Sequence, residues 1–393
     1  MKLTSKQRLC AFFVNLLIPL SGMSTDIYLP SLPAMSMKFH VTKAMVQLTV
    51  TSFTLAMAIS QLFAGPISDA LGRKKLIMGS TLLQLLSIIG ILFSPSMNSM
   101  IALRFIQGFS VGFMIVPARA ILSDVFEGDA LKKQFNYATI AFALGPIIAP
   151  FIGGHLQAYF GWQANFIFIL IYIIVILLFT LFLYRETLKN SRQFSLHHLW
   201  KNYYQISKNH YFLFCSLFVG IAYGYSVLFS VSGPFLVQVT LHQSAISYGF
   251  IALLMGLAWF LGNTINRVLF NYSKKLKVNC ALSGIFLSAV ALLLFAKFGF
   301  LNLLALVIPT FISVMLSGLI FPVYISECLI TFKELAASAN AFLFSVVWVM
   351  FSGFTLVSSQ LKSQTLYPYG IAFMGTCLLS MLVYYGFIAR TKH

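Results

Sequence analysis

Residues 55–90 read LAMAISQLFAGPISDALGRKKLIMGSTLLQLLSIIG, two apolar runs joined by GPISDALGRKK (Gly65–Lys75). A charge at the centre of a bilayer costs at least about 2.5–3.5 kcal/mol on insertion scales. Asp69, Arg73, Lys74 and Lys75 therefore mark a place where the chain leaves an apolar phase. Asp69 closes the first run, Gly72 permits a tight turn, and the three basic residues start the next run. This is the pattern of two membrane helices connected by a short hairpin in water.

The composition extends that reading to the whole chain. Its 393 residues are 59% hydrophobic and 9% charged, against roughly 25% charged in a soluble domain, and the mean hydropathy is +0.90. A soluble protein with so few charges could not cover its surface. Twelve stretches approach the roughly 20 apolar residues that a membrane helix needs. They are expected near 9–33, 44–66, 75–95, 99–122, 136–157, 163–184, 211–235, 245–268, 279–298, 301–326, 335–360 and 367–389. Lipid offers no hydrogen-bond partners, so spans of this length are helices. Outer-membrane barrels show shorter, alternating segments instead. The expected fold is all-α and integral to the membrane, with twelve spans.

The formal charge is +18, from 26 Lys and Arg against 8 Asp and Glu. The basic residues lie in short loops between apolar runs, which argues against nucleic-acid binding. With the N-terminus inside, twenty fall on the inner side, among them Lys2, Arg192, Lys333 and Lys392. Only Lys38, Lys43, Lys297 and Lys362 fall outside, and Arg104 and Arg119 lie within span 4. This bias places both termini in the cytoplasm. The opening MKLTSKQR resembles a signal peptide, but the run after it is too long and has no A-x-A-like site, so it is read as a span that stays in place. The longest connection, 185–210, is polar and basic. It divides the chain into a six-helix bundle at 1–184, a cytoplasmic linker, and a second six-helix bundle at 211–393. GNTINRVLFNYSKKLKV after span 8 faintly echoes the hairpin after span 2, as an internal repeat would.

The five cysteines are scattered, no His/Cys cluster has metal-ligand spacing, and no P-loop or G-x-S-x-G occurs. An enzyme, a metal site, a cofactor and direct coupling to ATP are not expected. Energy would come from an ion gradient or from the substrate gradient.

The informative residues are those that cost energy in a membrane. Asp26 is the one acid clearly within a span. It faces either a cavity or only the water at the outer end, and Pro30 and Pro33 are expected to bend and end span 1 there. Arg104 shares a helix face with Gln107 and Gly108, and Gly108 with Gly112 permits close helix packing. Arg119 lies nearer the inner end, where it is an interfacial anchor or part of a site. Asp69, Arg73 and Asp124 form either a latch or a turn with topology signals. Span 5 concentrates Gly145, Pro146, Pro150, Gly153 and Gly154, which bend a helix or admit a close neighbour. YGYSVLFSVSGPFL in span 7 offers Tyr223, Tyr225 and Phe229 as cavity lining or as packing.

Together these stretches resemble the major facilitator superfamily, and within it the bacterial Bcr/CflA drug/proton antiporters linked to bicyclomycin and chloramphenicol resistance. GPISDALGRKK is similar to the family's loop signature through Gly65, Asp69, Gly72, Arg73 and Lys74. ALRFIQGFSVG resembles the span-4 signature through Arg104, Gln107 and Gly108, and PARAILSDVFEG the subgroup's continuation through Arg119 and Asp124. LGPIIAPFIGGHL resembles the antiporter signature of span 5. STDIYLPSLPAM is similar to the subgroup's span-1 motif through Asp26, Tyr28, Pro30 and Pro33, and Glu186-Thr187-Leu188 to the usual close of the first half. Gly161-Trp162-Gln163 departs from the common Gly-Trp-Arg.

The resemblance implies a transporter with both six-helix halves rocking around a central cavity, which exports small amphipathic compounds against an inward proton flow. Asp26, Tyr28, Arg104 and Gln107 would serve proton coupling or substrate binding. Gly65, Asp69, Gly72, Arg73, Arg119 and Asp124 would form a cytoplasmic latch, and the Gly/Pro pattern of span 5 would limit leak. The alternative is export or import of a specific metabolite such as a siderophore or an amino-acid derivative. The expected partners are a small-molecule substrate, protons and the lipid bilayer. The expected setting is a monomer in a bacterial inner membrane.

Overall fold

The computed structural model describes residues 3–191, 193–332 and 334–390. Of the residues named above, Lys2, Arg192, Lys333 and Lys392 lie outside the described residues. Among the described residues, twelve helices are long and apolar enough to cross a membrane: Ser5–Lys38, Lys43–Leu71, Arg73–Leu92, Met97–Val125, Gly128–Phe160, Gln163–Leu183, His210–Thr240, Ala245–Val268, Lys274–Lys297, Leu303–Thr331, Ala336–Gln360 and Tyr367–Ile388. These are spans 1 to 12. No strand occurs among the described residues. With an even number of spans, span 1 begins and span 12 ends on the same face, here the terminal face.

Helix pairing repeats with a shift of six spans. Span 2 packs on 4, 3 on 4, 3 on 6 and 1 on 5; likewise 8 on 10, 9 on 10, 9 on 12 and 7 on 11. The two groups of six meet where span 2 lies on span 11 and span 5 on span 8. Spans 3, 6, 9 and 12 turn large apolar side chains outward, such as Leu86, Ile171, Leu287 and Leu382, the surface that lipid covers.

The hydrogen bonds joining the groups lie in the half remote from the terminal face or near mid-depth. Gln47 donates to the Val231 carbonyl at 2.7 Å and Gln238 to the Pro30 carbonyl at 2.9 Å. The hydroxyls of Thr51 and Thr355 are 2.7 Å apart, and those of Thr54 and Ser352 2.8 Å. Ser345 donates to the Ala58 carbonyl at 2.9 Å, and Lys43 to the Leu361 carbonyl at 3.0 Å and to the Ser363 hydroxyl at 2.6 Å. All four ion pairs among the described residues stay within one group. The bundle is therefore fastened on the face away from the termini.

Two elements differ from expectation. Span 1 is longer and jointed: helices at Ser5–Leu17 and Leu20–Asp26, a tight turn at Leu29–Ser31 and a further helix to Lys38. Pro30 and Pro33 do not end it. Each stands in the first turn of a new helical segment, where a missing N–H costs nothing. The linker contains a helix, Leu196–Ser207, capped by Ser195. It buries Leu199, Tyr203 and Ile206, spaced four and three residues apart, as an amphipathic helix does. Tyr203 donates to the Leu62 carbonyl at 2.7 Å, and Asn202 reaches Ser338 at 3.4 Å, so this helix touches both groups.

Candidate functional site

Arg104 is fully buried, and its surroundings explain how a guanidinium persists there. It donates to the Ser24 carbonyl at 3.1 Å, the Thr49 carbonyl at 3.4 Å and Gln107 Oε1 at 2.5 Å. Its guanidinium carbon lies over two rings, 4.4 Å from the Tyr28 centroid and 4.1 Å from that of Phe53. Such cation–π contacts are worth about 2 kcal/mol or more when desolvated. Tyr28 is held in turn by the Thr49 hydroxyl at 3.0 Å. Beyond Gln107, Ser110 donates to Gln84 Oε1 at 2.5 Å, and Gln84 reaches the Ser24 hydroxyl at 3.4 Å. One guanidinium nitrogen of Arg104 and the amide nitrogen of Gln107 find no partner. Spans 1 to 4 thus share a polar network with spare donors.

Asp26 borders this network. It is 7% exposed and lies within Coulombic reach of Arg104, yet it forms no ion pair or hydrogen bond among the described residues. Its oxygens are not among the sealed, partnerless polar atoms, so they open onto interior space. The solvated outer end considered from the sequence is ruled out by this burial, because span 1 continues twelve residues beyond Asp26 to Lys38. The sequence reading brought Asp26, Tyr28, Arg104 and Gln107 together, and the structure places all four in this region. It adds Ser24, Thr49, Phe53 and Gln84, which look ordinary in the sequence.

At the terminal face, Arg73 joins three elements. It bonds Asp69 at 2.5 Å, Asp124 at 3.1 Å and the Ser68 hydroxyl at 2.8 Å. Thr187 donates to Asp124 at 3.0 Å. Glu186 accepts from the backbone N–H of Arg73 at 3.1 Å and Lys74 at 2.9 Å, capping the start of span 3. Partial burial pushes the Glu186 carboxyl up, but backbone N–H donors from Leu188, Lys74, Arg73 and Thr187 outweigh it and hold it below the usual glutamate range. Gly72 has φ +95°, and a Cβ there would come 2.6 Å from Glu186 Oε2, so glycine is needed for both the turn and the cap. Gly65 lies near Val116 without close contact.

Arg119 departs from the expected latch. Its guanidinium sits 5.5 Å from the Phe142 ring and 5.3 Å from the Phe344 ring, with no link to Asp69, Arg73 or Asp124. Span 5 lies between spans 1 and 8. Pro146 fits against Gly22, Gly145 faces the Pro19 carbonyl and Gly153 the Ile27 carbonyl; Gly154 meets Ala245, and Pro150 approaches Gly249. Of the proposed span-7 lining, only Tyr223 remains partly accessible. Tyr225 is buried with its hydroxyl 3.0 Å from Ser380, and Phe229 is buried beside Tyr248. Both face packed helices, not a cavity. No group of three His, Cys, Asp or Glu side chains suited to a metal occurs among the described residues.

Comparison with known proteins agrees with this architecture. Residues 14–355 match the Major Facilitator Superfamily. The chain is 28% identical to the uncharacterized MFS-type transporter YdgK of Bacillus subtilis, over 98% of this chain and 96% of that one. It is 34% identical to a bicyclomycin resistance protein homolog of Haemophilus influenzae, over 47% of this chain and 46% of that one. A partially occluded inward-open structure of the xylose transporter XylE from E. coli superposes with a TM-score of 0.73 at 12% identity, covering 99% of this chain and all of that one.

Proposed function

This chain belongs to the Major Facilitator Superfamily and is a membrane transporter, not an enzyme, and we propose that it exports small amphipathic compounds, drugs among them, in exchange for protons. The observation that carries the reading is Asp26: a buried carboxylate, open to interior space, unpaired, and beside an arginine already committed to other partners. A carboxylate so placed can bind and release a proton without breaking an existing ion pair. Relatives named for drug resistance support the substrate class.

In this reading the terminal face is cytoplasmic, as the Lys and Arg distribution favours. The hydrogen bonds between span 2 and spans 7 and 11 then close the outer side, and substrate enters from the cytoplasm. A proton arriving from outside neutralises Asp26 and displaces the substrate; its release inward resets the site. Arg104, Tyr28 and Gln107 hold the pocket beside Asp26. The Asp69–Arg73–Asp124 cluster, capped by Glu186, acts as a latch on the cytoplasmic ends of spans 2, 3 and 4. The close fit of span 5 against spans 1 and 8 limits leak.

Inside-out vesicles given an acid interior test this reading. A panel of amphipathic drugs, siderophores and amino-acid derivatives is offered, with and without a protonophore. Uptake of amphipathic drugs that the protonophore abolishes supports it. Selective uptake of one metabolite class supports the metabolite alternative. Uptake indifferent to the proton gradient contradicts proton coupling.

A further inference from the structure

Span 4 carries two arginines that are treated in opposite ways. Arg104 is sealed and bound by three acceptors. Arg119, fifteen residues on and about 22 Å nearer the terminal face at 1.5 Å per residue, has no hydrogen bond or ion pair among the described residues. It lies deep within the bundle yet remains partly accessible, and none of its nitrogens is among the sealed atoms. That combination describes a side chain lining an internal space. The nearest acid along the helix, Asp124, is already taken by Arg73 and Thr187. The rings around Arg119 come from both groups of six, Phe142 on span 5 and Phe344 on span 11. They hold its head between helices instead of letting it reach headgroups as an interfacial anchor does.

An aromatic path leads away from it. Phe344, Trp348 and Phe351 recur at four- and three-residue spacing and share one face of span 11. Trp348 and Phe351 have ring centroids 5.4 Å apart, and Phe351 is 5.8 Å from Tyr223. Tyr223 closes a cage with Trp259 at 5.3 Å and Phe321 at 5.8 Å. Tyr223, Trp259, Phe321 and Phe344 all stay partly accessible. From span 7 onward the sequence has only two acids, Glu327 in span 10 and Glu334 in the loop after it, and Glu327 is paired with Lys274 at 2.5 Å. Asp26 lies within Coulombic reach of Tyr223.

We propose that Arg119 and this aromatic path bind the transported molecule itself, and that the preferred substrate is an organic anion: a carboxylate, or similar acidic group, on an aromatic or apolar body. The acidic group meets the free guanidinium of Arg119, whose planar fork suits a carboxylate. The body lies along Phe344 and Trp348 toward Tyr223, Trp259 and Phe321. The proposal deepens the export reading above and rests on it for the direction of transport, not for the binding chemistry.

Equilibrium dialysis on the purified full chain tests it, with three probes of one skeleton: 1-naphthylacetate, its neutral methylamide, and 1-naphthylethylamine. The acid is expected to bind at least tenfold more tightly than the amide, and the amine no better than the amide. Arg119→Gln removes that difference, Arg119→Lys keeps part of it, and Phe344→Leu weakens acid and amide alike. Melting temperatures of the variants confirm folding; if Arg119→Gln does not fold, Arg119→Lys against wild type carries the comparison. Equal binding of all three probes, preference for the amine, no measurable binding up to millimolar probe, or an acid preference untouched by loss of Arg119 overturns the proposal. Drug transport driven by protons without acid preference defeats this inference alone. Arg119-dependent acid binding without proton-driven transport defeats the export reading alone.

Discussion

Asp26 and Arg104 lie within Coulombic reach of each other in the same polar region without forming an ion pair. The arginine gives hydrogen bonds to Ser24, Thr49 and Gln107 and has the Tyr28 and Phe53 rings beside it, while one of its nitrogens stays without a partner. The carboxylate is left free. An ion pair would fix Asp26 in its charged form; a neighbouring cation that makes no direct contact only biases it.

Arg104→Lys keeps the charge but cannot fill this place. A lysine ammonium has no planar fork, and its three donors cannot reproduce the spread of contacts that the guanidinium makes. Lost hydrogen bonds of a charged group are worth roughly 1.5–3 kcal/mol each. Substrate transport in vesicles should fall at least about tenfold, with the protein still inserted and folded. Transport at the wild-type rate would show that the network only supports the fold.

Arg73 bridges two carboxylates that differ in exposure, Asp69 at 39% and Asp124 at 17%. Although the Asp69 contact is shorter, it is the more screened, and exposed pairs contribute only about 0.2–1 kcal/mol. Asp124→Asn should therefore destabilise more than Asp69→Asn in thermal unfolding in detergent. A double-mutant cycle between Arg73 and Asp124 should give a coupling within about 0.5–3 kcal/mol.

Glu186 gives the hairpin a pH dependence of definite sign. Its carboxyl is held below the usual range in the folded protein. Its stabilisation is thus complete above the ordinary glutamate value and is lost as pH falls through the lower folded value. Melting temperature should decline over that acidic window, and Glu186→Gln should lower it at neutral pH while flattening the decline.

The hydroxyls of Thr51 and Thr355 are 2.7 Å apart across the interface between the two groups. Thr51→Cys with Thr355→Cys should form a disulfide under mild oxidation. Locking this face should abolish net transport and leave substrate binding from the terminal side intact; reduction should restore transport. Undiminished transport in the cross-linked protein would show that this interface does not open.

The parts of this site that sequence revealed are those where charge or backbone freedom is costly. Asp26, Arg104 and the Asp69–Arg73 hairpin stand out because a carboxylate or guanidinium in an apolar run requires a reason. Thr49, Phe53 and Gln84 gave no such signal, since each is ordinary in a membrane helix and matters only through its neighbour in space. Tyr225 and Phe229 misled because span 7 is apolar all round, so periodicity does not say which side faces packed helices. The prolines of span 1 read as stops because the sequence does not show that a new helical turn begins at each. The linker helix was legible in principle: Leu199, Tyr203 and Ile206 carry its buried stripe, but the polar, basic composition of the segment outweighed them.

If Asp26 couples substrate movement to protons, Asp26→Asn in reconstituted vesicles separates the two. This variant should still exchange labelled for unlabelled substrate across the membrane, because the pocket is intact. An imposed pH gradient should no longer drive accumulation. Full accumulation driven by the pH gradient in Asp26→Asn would show that the coupling proton binds elsewhere.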